Sequence, residues 1–445
     1  MSLASRPRVL LIAELCNPRW VSVPLEGWSH SQALREVADV HLVTRSFNRE
    51  NILAEGLREG VDFTAIEPGA VKLLTQRLAS VLRGGQSVGW TTATALNSLT
   101  YYGFERRLWR QLGPGVERGE FDIVHRLTPL SPAAASPIAK WCRRAGVPFV
   151  LGPLSGGLLI PPGFEDVLRG EREWLAPFRE AHRLMPGYRA TRECASAIIV
   201  GSRVASAEIP ERCAQRRVYV PENGVNPARF DRHAQGAVHL PIRVAFAGRH
   251  VRLKGIDMLL EAAAPLVRAG TIRLDILGRG PETPRLRAMV QAEGLGSGVE
   301  LPGWIDHDQL QDRLIQSDVF AFPSVRDFGG AVVVEAMALG LVPIVLDYGG
   351  PGELVSPSTG FALPMGSRPE VVERLRSALS RLVDEPSIVR PMGDRARRRA
   401  LGLFTWEAKA AQVLAVYRWV LGEAPEKPDF GMPLTDPTTD PEHAP

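Results

Sequence analysis

The sequence predicts an α/β protein made of two doubly wound domains, each a parallel sheet with helices on both faces. Three observations carry this. Short aliphatic runs alternate with amphipathic stretches along the 445 residues, the signature of strand–helix–strand repetition. The runs are too many for one ordinary sheet. Pro210, Pro221, Gly224, Pro227 and Gly236 crowd into residues 202–241 and divide the runs into two series.

The first series predicts buried strands at 9–13, 40–44, 121–125, 149–151 and 197–200. The second predicts them at 244–247, 272–277, 319–322 and 343–346. Each is a short apolar run of strand length. Between strands the period changes: Ile256, Leu259, Leu260, Ala263 and Val267 recur at helical spacing. Ala410, Val413, Leu414, Tyr417 and Val420 do the same within 404–421. Residues 72–83 form a predicted helix with an apolar seam flanked by Lys72, Arg77 and Arg83. Such a helix suits either a domain core or an anionic membrane surface. From Glu423 onward, prolines at 425, 428, 433, 437, 441 and 445 alternate with acids. That tail, 423–445, is expected to be disordered.

Composition narrows the function classes. Apolar residues at 45% and charged residues at 23% are the balance of a globular chain. The apolar run at 9–13 is far shorter than the ~20 residues of a membrane span. No secretory h-region precedes it, so a cytoplasmic location is expected. Cys16, Cys142, Cys194 and Cys213 form no C-x-x-C pair, which suggests neither a disulfide framework nor a metal site. The net charge of +4 is uneven: residues 1–240 hold 30 Lys and Arg against 23 Asp and Glu. A basic first half suits an anionic acceptor or an acidic membrane surface. Nucleic acid is not expected, because no basic stripe is interleaved with aromatics.

The richest segment runs from Phe320 to Gly340. A strand ends at Pro323, and Gly329 and Gly330 then open a helix near Ala331. Free backbone N–H groups at a helix start bind anions, and glycines allow close approach. Asp327 in the loop and Glu335 in the helix can face one cleft; equally, Asp327 can cap the helix and Glu335 be solvated. A second segment, Gly248 to Gly255, is a strand-to-helix turn bearing Arg249 and Lys254. Such a pair can clamp a diphosphate, Arg by its fork and Lys as a point charge. Turns at Gly278-Arg279-Gly280-Pro281 and Asp347 to Glu353 repeat the design. In open parallel sheets these turns gather at the carboxyl edge, where ligands bind. No G-x-G-x-x-G or G-x-x-x-x-G-K-[ST] loop is present, which counts against a nicotinamide enzyme and a nucleotide triphosphatase.

Taken together these segments resemble the retaining nucleotide-sugar glycosyltransferases of family four, the group 1 glycosyltransferases with the GT-B architecture. The family's G-R-x-x-x-x-K-G stretch is matched by Gly248 to Gly255, and its acidic loop leading to E-A-M-A-x-G by Asp327 to Gly340. Its P-x-N-G-V-D linker is matched by Pro221 to Asn226, its G-x-G-P turn by Gly278 to Pro281, and its G-G-x-x-E turn by Gly349 to Glu353. The resemblance spans roughly residues 9–421, with the specific motifs in the second half.

The resemblance implies a GT-B fold: an acceptor-side domain at 1–220, completed by a helix at 405–421 that packs back on it, and a donor domain at 221–404. It implies transfer of a sugar from a UDP- or GDP-sugar to an acceptor hydroxyl with retention of configuration, in cell-surface glycan or glycoconjugate synthesis. No metal and no cofactor is expected beyond that co-substrate. Acceptors of glycan, lipid-linked and small-molecule type stay open, as does peripheral contact with the inner face of the membrane. The alternative is a nucleotide-sugar-binding protein of the same fold without transfer.

Site residues follow by motif position. Arg249 and Lys254 would hold the diphosphate, Glu335 the ribose hydroxyls and Asp327 the sugar hydroxyls. Gly248, Gly278, Gly280, Trp304, Gly329, Gly330, Ala331 and Gly350 would complete the donor site. Most relatives have Glu where this chain has Asp327, and many have Phe at Gly329. His125 matches the first histidine of the family's D-x-x-H-x-H-x-P strand, with Leu127 in place of the second, and is carried as a catalytic candidate. Gly27, Trp28, Ser155 and Gly156 would line the acceptor side.

Overall fold

The computed structural model describes residues 6–67, 90–164, 186–234 and 236–435, with the backbone alone at 90–99, 307 and 308. The helix predicted at 72–83 lies outside the described residues. The chain divides into two compact units: Met1–Gly157, Glu171–Glu222 and Trp406–Phe430 form one, and Leu158–Gly170, Asn223–Thr405 and Gly431–Pro445 the other.

The first unit holds a seven-stranded sheet in the order β3-β2-β1-β4-β5-β6-β7, every pair parallel. Its strands are β1 (Arg8–Ala13), β2 (Asp39–Arg45), β3 (Phe63–Ile66), β4 (Ile123–Thr128), β5 (Phe149–Leu154), β6 (Ala197–Val200) and β7 (Arg217–Tyr219). β1 is central, and its Val9, Leu11 and Ala13 belong to a core with Leu34, Ile123, Val150 and Ile199. Full burial of such side chains contributes about 1.5–3 kcal/mol each. The helix Trp406–Val420 adds Ala410, Val413, Val416 and Tyr417 to that core, residues three and four apart on one face.

The second unit holds a six-stranded parallel sheet in the order β10-β9-β8-β11-β12-β13. Its strands are β8 (Ile242–Ala247), β9 (Ile272–Leu277), β10 (Val299–Gly303), β11 (Val319–Phe322), β12 (Val342–Leu346) and β13 (Phe361–Leu363). In each unit the strand order reverses beside the first strand, between β1 and β4 and between β8 and β11. The carboxyl ends at these switch points are where α/β sheets bind ligands.

Four strands were not anticipated: β3, β7, β10 and β13. All four are sheet edges. An edge strand pairs on one side only and needs less apolar sequence; β10, for instance, alternates buried and exposed positions. The strand expected at 121–125 runs instead over Ile123–Thr128. Arg126 and Thr128 break its apolar pattern, yet both are fully buried.

The tail is a second correction. Residues 423–435 are placed: Phe430 packs on the core of the first unit, while Leu434 is buried and its carbonyl accepts from Arg399 Nη2 at 2.6 Å. Arg399 is itself buried, so its guanidinium needs such acceptors. Residues 436–445 lie outside the described ones. Among the described residues no helix is long and apolar enough to cross a membrane.

Candidate functional site

The switch point of the second unit brings two predicted segments together. After β8 the chain makes a short turn, Arg252–Lys254, and enters the helix Ile256–Arg268 through Gly255 at φ +64°. A side chain at Gly255 would collide with the Pro323 carbonyl. The missing Cβ lets this turn lie against the loop after β11, and Val325 N–H donates to Leu253 O at 2.9 Å. Lys254 is thereby delivered to Asp327, and their side chains form an ion pair. The ammonium also lies 4.7 Å from the centroid of the Phe322 ring, a cation–π contact.

Asp327 has a second task. Its Oδ1 accepts from Gly330 N–H at 2.9 Å, just before the helix Ala331–Ala338. Gly330 sits at φ +70°. The reading of Asp327 as a partner of the helix end is met, and the same carboxylate also pairs with Lys254. Gly349 and Gly350 close the loop from the other side: Gly350 N–H donates to the Asp327 carbonyl at 3.3 Å, and added side chains at these glycines would strike the Asp327 and Phe328 carbonyls.

Gly248, Gly278 and Gly280 also meet. A side chain at Gly278, φ +125°, would overlap the Gly248 carbonyl, and one at Gly280 would overlap that of His250. His250 and Thr283, which the sequence did not single out, lace these turns. Thr283 Oγ1 accepts from Gly280 N–H at 3.0 Å and pairs with His250 Nδ1 at 2.9 Å. The only signal in sequence was a Thr three residues after the last glycine of the G-x-G turn. Arg249 stands exposed on the same turn. Trp304 follows β10; it is about half exposed, its indole N–H donates to Asp306 Oδ1 at 3.0 Å, and Arg279 lies 5.5 Å over its ring. Glu335 is half-buried within the helix Ala331–Ala338, with Gly329 and Ala331, also half-buried, at its start.

The switch point of the first unit is charged and buried. Glu14 follows β1 and pairs with Arg45 at the end of β2. Burial raises the Glu14 carboxyl to about 7, against the opposing pull of Arg45. Gly27 fits beneath the Leu15 carbonyl, where a Cβ would collide, and Leu15 N–H donates to Thr128 Oγ1 at 3.0 Å. Ser155 is buried with its N–H on the Leu130 carbonyl at 2.8 Å, and Gly156 takes φ +139° beside Pro132.

Two candidates of the first unit, Trp28 and His125, are engaged with its core. Trp28 is partly buried and packs on the hydrophobic core of the unit, because the helix Val23–Val37 turns that face inward. His125 is fully buried and both ring nitrogens are engaged, Nε2 with the Gly152 carbonyl and Nδ1 with the Tyr417 hydroxyl, each at 2.7 Å. A carbonyl only accepts, so Nε2 carries the proton and Nδ1 accepts from Tyr417. Burial lowers this imidazole to about 4. His125 ties β4 to the helix Trp406–Val420 and has no nitrogen left for a reacting group.

Comparison with known proteins agrees with this arrangement. Residues 228–398 match the family model of group 1 glycosyl transferases. The alpha-D-kanosaminyltransferase of Streptomyces kanamyceticus is 26% identical over 65% of this chain and 66% of its own length. The first three curated relatives are matched over 66%, 55% and 47% of their lengths. The sucrose-phosphate synthase of Thermosynechococcus elongatus shares the fold, with a TM-score of 0.62 at 19% identity, over 94% of this chain and 100% of that one. A GDP-mannose-dependent alpha-mannosyltransferase of Mycobacterium tuberculosis is 31% identical over 68% of this chain and 74% of that enzyme. With two doubly wound sheets and this degree of identity to the mycobacterial enzyme, the chain belongs to the group 1 glycosyl transferases, of GT-B fold.

Proposed function

We propose that the protein transfers a sugar from a nucleoside-diphosphate sugar to an acceptor hydroxyl of a glycan or glycoconjugate, with retention of configuration. The observation that carries this is the Lys254–Asp327 pair at the β8/β11 switch point, beside the N-terminus of the helix Ala331–Ala338. A fixed ammonium there suits the charge that grows on a departing diphosphate, and catalysis by such positioning needs no reorganisation at the moment of reaction. Arg249 extends from the same turn as a second cation for the phosphates. Glu335 takes the ribose hydroxyls and Asp327 the donor sugar. The route is front-face: the leaving diphosphate oxygen accepts the proton of the attacking hydroxyl. Retention rests on family membership.

The donor is a UDP- or GDP-sugar; the identity to a GDP-mannose-dependent relative supports the latter. Peripheral contact with an anionic membrane from the cytoplasmic side is part of the same reading. It rests on the excess of Lys and Arg in residues 1–240, 30 against 23 acids. Thermal unfolding with UDP, GDP and their hexose conjugates tests the donor: a nucleotide at about 100 times its Kd stabilises the fold by about 2.7 kcal/mol. A transfer assay with a mixed acceptor pool tests the reaction. Binding without transfer or donor hydrolysis would favour the nucleotide-sugar-binding alternative.

A further inference from the structure

Two loops at the carboxyl edge of the first unit's sheet hold aromatic rings out of the core. The loop after β1 presents Trp20, and the turn after β2 presents Phe47. Their rings lie nearly parallel, 10° apart in plane and 5.6 Å between centroids. Trp20 is 44% exposed, Phe47 41%, and the neighbouring Val21 62%. Contiguous exposed apolar surface of this kind marks a binding site more often than a scattered residue does.

The rings are held in place from below. Asn17 Oδ1 accepts from Asn51 Nδ2 and from Arg19 N–H, both at 3.0 Å, and Asn17 Nδ2 donates to Asn48 Oδ1 at 3.2 Å. Asn48 in turn donates to the Glu14 carbonyl at 3.1 Å and to Thr44 Oγ1 at 2.8 Å. Asn17 and Asn48 are fully buried. This lacing ties both loops to the ends of β1 and β2. Immediately beyond Val21, Ser22 adopts φ +66°, ψ −145°, a region that is nearly glycine-only. It is the one non-glycine residue with positive φ among the described residues. Strain retained in a loop that keeps a tryptophan exposed points to use of that loop.

We infer that the Trp20–Phe47 stack is a platform for a sugar ring of the acceptor, which makes the acceptor a saccharide chain; this rests on the glycosyl-transfer reading above. One face of a pyranose is a set of C–H bonds, and the face of an aromatic ring carries the negative lobe of its quadrupole. Stacking buries apolar area on both without any charge. The rim sets two arginines against three glutamates: Arg19 pairs with Glu55 at 3.9 Å, and Arg49 with Glu59 and Glu67 at 2.9 and 2.8 Å. A rim of paired charges with no cationic excess serves sugar hydroxyls and gives no net attraction to an anionic leaflet.

Saturation-transfer NMR with maltotriose, cellotriose and α-1,6-mannotriose tests this on the full chain. At least one trisaccharide should bind wild type, with saturation concentrated on ring C–H protons. The Trp20→Ala/Phe47→Ala variant should raise its Kd about tenfold or more, while Trp20→Phe/Phe47→Tyr stays within about threefold. Both positions are solvent-exposed, so an unchanged thermal unfolding profile and unchanged UDP or GDP binding are expected in both variants. Saccharide binding that depends on Trp20 in a protein binding neither nucleotide would support the platform and overturn the transferase reading. Failure of wild type to bind any of the three, equal binding by the alanine variant, or Trp20-dependent sedimentation with phosphatidylglycerol vesicles would overturn the platform.

Discussion

Lys254 and Asp327, 73 residues apart in sequence, form an ion pair at the β8/β11 switch point, with the ammonium over Phe322 and the carboxylate on the Gly330 amide. Both side chains are mostly sheltered from solvent. A pair held this way keeps the lysine rotamer fixed, so its charge can be presented to a phosphate without an ordering cost.

The first prediction tests that charge. Lys254→Ala should lower kcat/KM by at least ~10²-fold, since leaving-group charge grows in the transition state. Arg249→Ala should lower it in the same direction while leaving Tm unchanged, because Arg249 is exposed. Steady-state kinetics and thermal unfolding read both; wild-type kinetics in the two variants would remove the diphosphate clamp from the proposal.

The second prediction separates the acids. Asn at 327 still accepts from the Gly330 amide but loses the ion pair. Asp327→Asn should therefore weaken UDP or GDP binding less than Glu335→Gln does, through the freed lysine alone, and impair transfer. Glu335→Gln should weaken binding of the nucleotide itself. Calorimetry with the nucleotide alone distinguishes them, and equal losses in both variants would contradict the division of roles.

How much of this was legible in the sequence depended on whether a feature was local. The central strands β1, β8 and β11 announced themselves because strands buried on both faces are nearly continuous apolar runs. The edges β3, β7, β10 and β13 did not, since half-paired strands tolerate polar or very short sequence. Arg249, Lys254, Asp327 and Gly330 were visible as motifs, because glycine turns leave a local trace. The His125–Tyr417 bond, across 292 residues, left none. Nor did the Trp20–Phe47 stack: each residue alone reads as an ordinary apolar position, and only the buried asparagines beneath them set the rings side by side.

The third prediction concerns the glycine turns. Gly278→Ala would push a Cβ into the Gly248 carbonyl and hold alanine at φ +125°. A backbone neighbour cannot rotate away, so the cost should be at least ~1–3 kcal/mol, the range for overpacking. Gly296→Ala is the control, having no heavy atom within 4 Å of the new methyl and no positive φ. Urea denaturation should show a lower midpoint for the first and little change for the second. Equal midpoints would mean that the β8 and β9 turns are not nested.

The last prediction follows from the buried imidazoles of the first unit. Burial lowers His125 to about 4 and His30 to about 3, from the usual 6.5. As pH falls below 6.5 the unfolded chain takes up these protons and the folded one does not. The stability linked to each ring is therefore present above pH 6.5 and lost as pH falls through its folded value. Glu14 acts in the opposite sense. Its carboxyl is raised from 4.5 to about 7 by burial, so the folded state keeps a proton that the unfolded chain releases, and that stability is lost as pH rises from 4.5 through 7. Glu105 is raised like Glu14, and His41 and His250 are lowered like His125, so each variant is read as a change of slope against wild type, with each proton worth about 1.4 kcal/mol per pH unit. His125→Gln keeps a donor and an acceptor but cannot titrate, and should lower the slope of unfolding free energy against pH by one proton; Glu14→Gln should raise it by one. Urea titrations at pH 7, 6 and 5 measure the slopes. If the His125→Gln slope coincided with that of wild type, the ring would be titrating normally in the folded state, and its role as a buried tie between β4 and the helix Trp406–Val420 would be wrong.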